Sequence, residues 1–312
     1  MKILVIFTGG TIGSTVSGEY ISTDSKKPYV ILEKYNNAVK NTIEWVTESP
    51  YTILSENLTG NTMKLLLETV RNGLSHDYDG IIVTHGSDTL QYSAAFLALM
   101  LGGDTIPVML VSSNYVLEDS RANGMDNFSH AVDFIEKKLG RGVFVPYRNT
   151  GENCKIHMGE LLMPHNMYSD NLTSLNNEIY GEYTESGFVR NSDKNINKFT
   201  KIDINDFEPE SGIMTVYACP GYVYPDIGKD IKAILIHAYH SGTICVESEQ
   251  LVEFVCKAKN MGINVFLVGA NPETDYESCS KYSEMGIEVL PAVSPVYAYV
   301  KIWMNRGNWI KK

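Results

Sequence analysis

A short polar run, His-Gly-Ser-Asp-Thr at residues 85–89, separates an apolar stretch from a helical pattern. Gly80–Val83 has the β-branched content of a buried strand, and Thr89–Leu101 carries apolar residues at helical spacing. Ser87 and Asp88 are therefore predicted on a tight turn at the carboxyl end of a strand, where parallel α/β sheets bind ligands. A hydroxyl and a carboxylate there predict nucleophilic or binding chemistry, with helix capping by either residue as the alternative.

A second polar turn follows the first predicted strand. Thr8–Ser14 has the sequence Thr-Gly-Gly-Thr-Ile-Gly-Ser. Gly9 and Gly10 allow a tight turn and close approach of a ligand to the backbone, and Thr11 adds a hydroxyl. The run lacks the glycine spacing of a dinucleotide-binding loop and the Gly-Lys-Ser/Thr of a phosphate-binding loop. Because both turns would end strands of one sheet, we expect Thr11 and Ser87 to face the same crevice.

Together the two turns resemble the signature motifs of the bacterial-type L-asparaginases, which are close to Thr-Gly-Gly-Thr-Ile and His-Gly-Thr-Asp-Thr. Leu54–Gly60, Leu-Ser-Glu-Asn-Leu-Thr-Gly, is similar to the substrate-binding segment of that family. Tyr20, nine residues beyond Thr11, is similar to the family's active-site tyrosine on a mobile flap. The resemblance covers most of residues 1–140 and is weaker in the C-terminal part. The start at Met1 without an export signal resembles the cytoplasmic, type I branch.

The resemblance implies a catalytic role for four residues. Thr11 is the nucleophile that attacks the side-chain amide carbon of L-asparagine, giving an acyl-enzyme that water hydrolyses to L-aspartate. Tyr20 orients Thr11. Ser87 takes the position of the family's second catalytic threonine, and Asp88 completes the catalytic group. A threonine hydroxyl needs a neighbour to withdraw its proton, and backbone N–H groups of a glycine-rich turn can stabilise the oxyanion that forms.

The resemblance also implies how the substrate is held. Ser55 and Glu56 bind the α-carboxylate and the α-amino group, and Asp88 binds the α-amino group as well. Two carboxylates suit a ligand with a free ammonium group. Neither a metal nor an organic cofactor is expected, and the family's active sites near subunit contacts imply a homodimer or a homotetramer.

Two positions depart from the family pattern. Ser87 stands where the family has threonine, so the hydroxyl is kept and the methyl group that restricts χ1 is lost. The family's catalytic lysine has no clear counterpart: its position falls near Pro164 or His165, and Lys155 is the sole lysine within Val145–Asp170. The role falls to Lys155, to His165 or to no residue.

Three other functions stay open. A related amidohydrolase could act on L-glutamine, a D-amino acid or a blocked amide, and a non-catalytic amino-acid sensor could keep the pocket alone. Glutamyl-tRNA amidotransferase subunits share the fold, but they usually carry an extra N-terminal module, whereas this sequence begins at its first strand. The intact Thr11 and Ser87 favour an enzyme over the sensor.

Composition narrows the partners. The 312 residues are 44% hydrophobic and 20% charged, with a formal net charge of −11. This acidity disfavours nucleic acid or an anionic membrane as the main partner. The family resemblance implies a small-molecule amino-acid substrate. No apolar run approaches the roughly 20 residues of a membrane span. The five cysteines show no Cys-x-x-Cys spacing and no zinc motif, and we expect a cytoplasmic protein.

Apolar runs alternate with helical patterns along the chain, which predicts an α/β fold with a mainly parallel sheet. We expect a larger N-terminal domain over residues 1–190, a polar linker over 191–210 and a smaller C-terminal α/β domain over 211–312. The predicted strands are Ile3–Phe7, Gly80–Val83, Val108–Val111, Val143–Pro146, Met214–Ala218, Ala233–Ile236 and Val265–Val268. The predicted helices are Thr62–Gly73, Thr89–Leu101, Ser129–Leu139 and Ser248–Gly262.

Overall fold

The chain forms two compact units, Met1–Asn205 and Asp206–Lys312. The computed structural model describes residues 1–10, 12, 14–17, 20–23, 29–40, 42–103, 105–191, 201–202, 207–270 and 276–309, with backbone alone for 14–17 and 20–23. Most of the predicted linker lies outside these residues. Both units are α/β, and the larger sheet of the first unit is mainly parallel, which confirms the predicted fold class.

The first unit begins with a strand at Lys2 and contains both strands and helices. Its strands are β1 (Lys2–Phe7), β2 (Ser14–Ser17), β3 (Tyr20–Thr23), β4 (Glu44–Glu48), β5 (Gly80–Thr84), β6 (Val108–Val111), β7 (Val143–Arg148), β8 (Cys154–Met158), β9 (Gly181–Thr184) and β10 (Gly187–Arg190). Its helices are α1 (Val30–Ala38), α2 (Gly60–Leu74), α3 (Leu90–Leu101) and α4 (Gly124–Glu136), with short 3₁₀ helices at Ser55–Asn57, Gly159–Leu161 and Leu175–Asn177.

The second unit follows the same alternation. Its strands are β11 (Ile213–Tyr217), β12 (Ala233–His237), β13 (Asn264–Val268) and β14 (Ile287–Val289), and its helices are α5 (Glu249–Asn260), α6 (Glu277–Met285) and α7 (Pro295–Met304). The four strands found among the described residues pair in chain order, all parallel. Ser248 and Ser294 cap α5 and α7 with their hydroxyls, as small polar residues do at helix starts. Among the described residues, no helix combines the length and apolar character needed to cross a membrane.

The large sheet places β1 in its interior. Within the described residues its order is β10-β9-β8-β7-β6-β5-β1-β4. The strands from β4 to β7 in this order run parallel, and β8, β9 and β10 return antiparallel. In the register of β1 and β5, Phe7 lies opposite Thr84. The chain therefore leaves both strands at the same edge, so that the two polar turns are neighbours.

Helices cover both faces of the large sheet, because its central strands are apolar on both sides. On one face, α1 and α4 bury a cluster in which the Phe128 ring lies 5.6 Å from that of Tyr35 and 5.9 Å from that of Trp45. On the other face, Gly73 of α2 packs against Leu4 of β1. The sheet edge that carries the polar turns is thus supported by a core on each side.

The predicted start and the predicted end of one helix both need correction. The helix predicted over Ser129–Leu139 begins instead at Gly124 and ends at Glu136. Its start depends on a tertiary contact, since the Gly124 N–H donates to Ser113 Oγ at 3.1 Å. Its end comes early because Lys138 takes a left-handed conformation, with φ of 51°, before the chain reaches the glycine predicted to stop it.

Replacing Phe128 by alanine tests the core that supports the sheet. The ring is fully buried, so its loss is expected to lower the free energy of unfolding by about 3–5 kcal/mol. Urea denaturation followed by circular dichroism measures the change. Leu65→Ala on α2 is the control, because Leu65 is 44% exposed and its loss should cost about 1 kcal/mol or less. Equal effects of the two substitutions would contradict this description of the core.

Candidate functional site

Three chain segments meet at the carboxyl edge of the large sheet. The Thr8 hydroxyl donates to the carbonyl oxygen of Thr84 at 2.6 Å, which joins the ends of β1 and β5. The Gly10 N–H donates to the Ile53 carbonyl at 2.9 Å, and the Ile53 N–H donates to the Thr8 carbonyl at 3.1 Å. The segment around Ile53 is thereby held beside both turns.

Glycine is required where these segments touch. A Cβ atom on Gly10 would lie 2.3 Å from the backbone nitrogen of Gly86, and one on Gly86 would lie 2.5 Å from Ser55 Oγ. Gly9 and Gly10 also have φ of +97° and +76°, a region that side chains disfavour. The turns after β1 and β5 therefore meet backbone to backbone.

Ser55 joins the third segment to the polar turn after β5. Its buried hydroxyl donates to Asp88 Oδ2 at 3.4 Å, and its carbonyl accepts from the Thr89 hydroxyl at 2.8 Å. Glu56 follows it in the 3₁₀ helix and is exposed. The Asp88 carboxylate is exposed too, and the Gln91 amide donates to the Asp88 carbonyl at 3.0 Å. The two segments that Ser55 joins therefore each carry an exposed carboxylate, Glu56 on one and Asp88 on the other.

The capping alternative for the polar turn does not match the geometry. The N-cap of α3 is Thr89, and its side chain bonds Ser55 rather than a helix N–H. Ser87 is half-buried and its carbonyl accepts from the Leu90 N–H at 3.4 Å. Neither the Ser87 hydroxyl nor the Asp88 carboxylate therefore caps α3.

Two predicted catalytic residues are not fully described. Thr11 lies outside the described residues, although it follows Gly10 directly in the chain. Tyr20 begins β3, where its backbone pairs with Ser17 of β2 in an antiparallel hairpin. Their roles remain predictions.

His85 is a structural residue of the turn after β5. The ring is buried, and burial lowers its pKa, so the imidazole is neutral. Nδ1 bonds the Gly86 carbonyl and Nε2 bonds the Ser93 hydroxyl, both at 2.8 Å. With one N–H available, Nδ1 donates to the carbonyl and Nε2 accepts from Ser93. This fixes the turn against α3.

The two candidates for the missing lysine bond to residues of their own neighbourhood. Lys155 Nζ lies 2.6 Å from a carboxylate oxygen of Glu152 in a partly exposed ion pair. His165 Nδ1 lies 3.2 Å from the Asn171 carbonyl. Among the described residues, no hydrogen bond or ion pair joins either side chain to Ser87 or Asp88.

His157 is buried on β8, and no sequence motif indicated it. Ile156 and Met158 pack into the core with α4, so strand alternation puts His157 on the opposite face together with Lys155. The Nδ1 atom of His157 lies 2.7 Å from the Ser174 hydroxyl, while Nε2 has no hydrogen-bond partner among the described residues. In the sequence, only the alternation of residues along this strand could have indicated that His157 is buried.

A group of asparagines, also missed, holds the neighbouring strand ends. Asn114 and Asn123 exchange backbone-to-amide hydrogen bonds of 3.0 Å each. Asn123 also donates to the Arg148 carbonyl at 2.9 Å, and the Arg148 N–H donates to the Asn127 side chain at 2.9 Å. These bonds satisfy backbone groups where β6 and β7 end. They hold the segments that follow the two strands at the carboxyl edge of the sheet.

The site combines negative charge with hydroxyl groups. Asp88 and Glu56 supply negative charge, and Ser55 and Ser87 supply hydroxyls. No group of three or more side chains of the kind that bind metals comes together in the part of the chain that the structure describes.

The fold and the site define a two-unit α/β protein that gathers hydroxyl and carboxylate side chains on glycine-rich turns at a parallel sheet edge. Residues 2–187 match the family described as asparaginase, N-terminal. Because this match covers more than half of the 312 residues, the chain belongs to the asparaginase family.

Solved structures have the same fold. The thermostable L-asparaginase from Thermococcus kodakarensis superposes with a TM-score of 0.77 at 20% identity, covering 99% of this chain and 94% of that one. L-asparaginase I from Vibrio cholerae gives a TM-score of 0.74 at 17% identity, with coverage of 99% and 94%. At these identities the likeness extends to the fold.

Curated relatives carry a different name. A glutamyl-tRNA(Gln) amidotransferase subunit from Methanosphaera stadtmanae is 21% identical, over 98% of this chain and 72% of the relative. The amidotransferase subunit of the same name from Pyrococcus abyssi is 23% identical over the same shares, 98% and 72%. The family is therefore established, and the substrate is not given by the names alone.

Replacing Gly10 by alanine tests the backbone contact between the two turns. The new methyl group would overlap the Gly86 backbone, so we expect the free energy of unfolding to fall by more than about 2 kcal/mol. Thermal unfolding measures it. Gly228→Ala is the control, because a Cβ there would lie 3.9 Å from Ile231 and should change stability by about 0.5 kcal/mol or less. A Gly10→Ala protein as stable as the control would contradict the close contact.

Acidification is expected to destabilise the protein through His157. Burial lowers the pKa of His157 from 6.5 to about 3. Between these values the unfolded chain binds a proton that the folded protein does not, so the free energy of unfolding decreases as the pH falls. This residue alone can contribute a slope of up to about 1.4 kcal/mol per pH unit. Urea denaturation across this pH range measures the slope.

The His157→Gln protein should show a shallower slope, because glutamine does not titrate. His76→Gln is the matched control, since His76 is exposed, and should keep the slope of the original protein. If His157→Gln also keeps that slope, His157 is not held neutral in the fold.

Proposed function

We propose that the protein is an L-asparaginase that hydrolyses L-asparagine to L-aspartate and ammonia, with Thr11 as the nucleophile. The family and the fold of the solved L-asparaginases support an amide hydrolase. The observation that carries the proposal is the contact of Ser55 with Asp88 beside the Gly10–Gly86 contact. It brings the substrate-binding segment and both signature turns together at one sheet edge.

Substrate recognition uses the exposed carboxylates of Asp88 and Glu56. The α-ammonium group of the substrate binds between the carboxylates of Asp88 and Glu56, and Ser55 contacts the α-carboxylate. Because both carboxylates are exposed, they are accessible to the ammonium group. The Ser55 hydroxyl is buried and already hydrogen-bonded to Asp88, so it is oriented before the substrate arrives.

The chemical step follows from the position of the nucleophile after the glycines. Thr11 Oγ forms a bond to the side-chain amide carbon while its proton passes to Tyr20, which orients the hydroxyl and later returns that proton to the leaving nitrogen. Ser87 assists from the opposite turn. The tetrahedral intermediate collapses with transfer of a proton to the leaving nitrogen, which departs as ammonia. Water then cleaves the acyl-threonine ester and releases L-aspartate.

The names of the curated relatives favour a second candidate, an amide hydrolase that works as part of an amidotransferase. The same site would then act on another amide, and L-glutamine is the first to compare. The absence of a lysine contact to Ser87 or Asp88 among the described residues keeps this candidate open, because it changes the surroundings of the second hydroxyl.

We also propose a cytoplasmic location and a homodimeric or homotetrameric assembly for this enzyme. A structural neighbour from Campylobacter jejuni is named a probable cytoplasmic L-asparaginase. Light scattering of the purified protein measures the assembly.

Ammonia release by the purified protein with L-asparagine, D-asparagine and L-glutamine tests the function. We expect L-asparagine to be the best substrate, and Thr11→Ala to lower its turnover by about a thousandfold or more. Thr52→Ala is the matched control, since Thr52 is exposed near the site and should leave turnover unchanged. Faster release from L-glutamine would favour the amidotransferase candidate. Binding of L-asparagine without ammonia release would favour a sensor.

A further inference from the structure

A cavity of about 490 Å³ lies in the first unit where β7 begins. This is the amino edge of the parallel strands, opposite the edge that carries the candidate site. Its walls include the end of α3, the segment that follows α4, and Glu160. The volume is in the range of small-molecule sites, and none of the predicted site residues lines it.

Glu160 is the buried polar group of this cavity. Its side chain is 6% exposed, and its Oε1 atom has no hydrogen-bond partner among the described residues. Burial raises the pKa of this carboxyl to about 8. A buried oxygen without a partner is costly, and a donor from a bound molecule would satisfy it.

Two helix ends give the inner wall a negative potential. Ala98 and Gly102, in the last turn and at the C-cap of α3, line the cavity, and so does Lys138 directly beyond the C-cap of α4. The last carbonyl groups of a helix lack intrahelical partners and carry partial negative charge. Together with Glu160, they favour a positively charged donor such as an ammonium group.

The rim has the opposite charge. The exposed cationic side chains Lys138, Arg141 and Arg190 line the same cavity. The Arg190 guanidinium lies 4.8 Å from the centre of the Tyr180 ring, which limits its motion. Arginine at a rim binds carboxylates well, because its planar group presents paired donors.

We propose that this cavity is a second small-molecule site, which binds a zwitterion of amino-acid size with its ammonium group on Glu160 and its carboxylate at Arg190. The separation of a negative inner wall from a positive rim matches a molecule with opposite charges at its two ends. The site does not depend on the proposed function, because it shares no residue with the candidate active site.

Titration calorimetry tests the site with glycine, β-alanine and γ-aminobutyrate, which separate the two charges by increasing lengths. The Asp88→Asn protein is used so that the candidate active site contributes little binding. We expect one of the three to bind in a 1:1 ratio, and propylamine and propionate to bind at least about tenfold more weakly. Near neutral pH, binding should release about one proton, because the ammonium group lowers the pKa of Glu160. Titrations in two buffers of different ionisation enthalpy measure that proton.

Two substitutions in the Asp88→Asn protein assign the site. Glu160→Gln should remove the proton release and weaken binding at least about tenfold, and Arg190→Gln at the exposed rim should weaken it about tenfold. Glu68→Gln and Arg71→Gln, at exposed positions of α2, are the matched controls and should change neither.

Absence of binding by all three zwitterions would overturn the proposal, as would binding that Arg190→Gln and Glu160→Gln leave intact. If Glu160→Gln does not fold, the exposed Arg190→Gln substitution still decides the outcome. Ammonia release is measured separately on the unsubstituted protein, so failure of this site and failure of the proposed function are distinguishable.

Discussion

The contact between the turns after β1 and β5 is the constraint on which the site depends. The two strands are neighbours in register, so their chains leave the sheet side by side. Gly10 and Gly86 allow the two backbones to touch, and Ser55 then packs directly on Gly86. A side chain at either glycine would separate the turns, and the hydrogen bond from Ser55 to Asp88 would be lost with the separation. The polar groups of the site are thus positioned by backbone contact.

Buried and exposed polar groups have different tasks around this contact. Ser55 and His85 are buried and fully engaged with neighbouring groups, which makes the turn rigid. The carboxylates of Asp88 and Glu56 are exposed, so they are accessible to a cationic ligand. The proposed reaction relies on this division, since a rigid base lets the exposed groups discriminate between ligands without rearranging.

Helix α3 runs from the carboxyl edge of the large sheet to its amino edge. It is buried along nearly all of its length, and Asp88 precedes its first turn while Gly102 ends it beside the cavity. The positive end of the helix therefore lies next to the candidate active site, and the negative end contributes to the proposed second site. One buried helix thus reaches both edges of the sheet, with ends of opposite partial charge.

The sequence by itself determined the buried parallel strands and the two glycine-rich turns, because β-branched runs and turn residues act locally. It did not indicate β4, an edge strand of half-buried residues without an apolar run, and it put the start of α4 too late, since that start depends on Ser113. The tertiary structure alone decided that Ser55 contacts Asp88, which lies 33 positions away, and that the Thr8 hydroxyl donates to the Thr84 carbonyl. Such contacts follow from strand order and register, which local residue patterns do not encode.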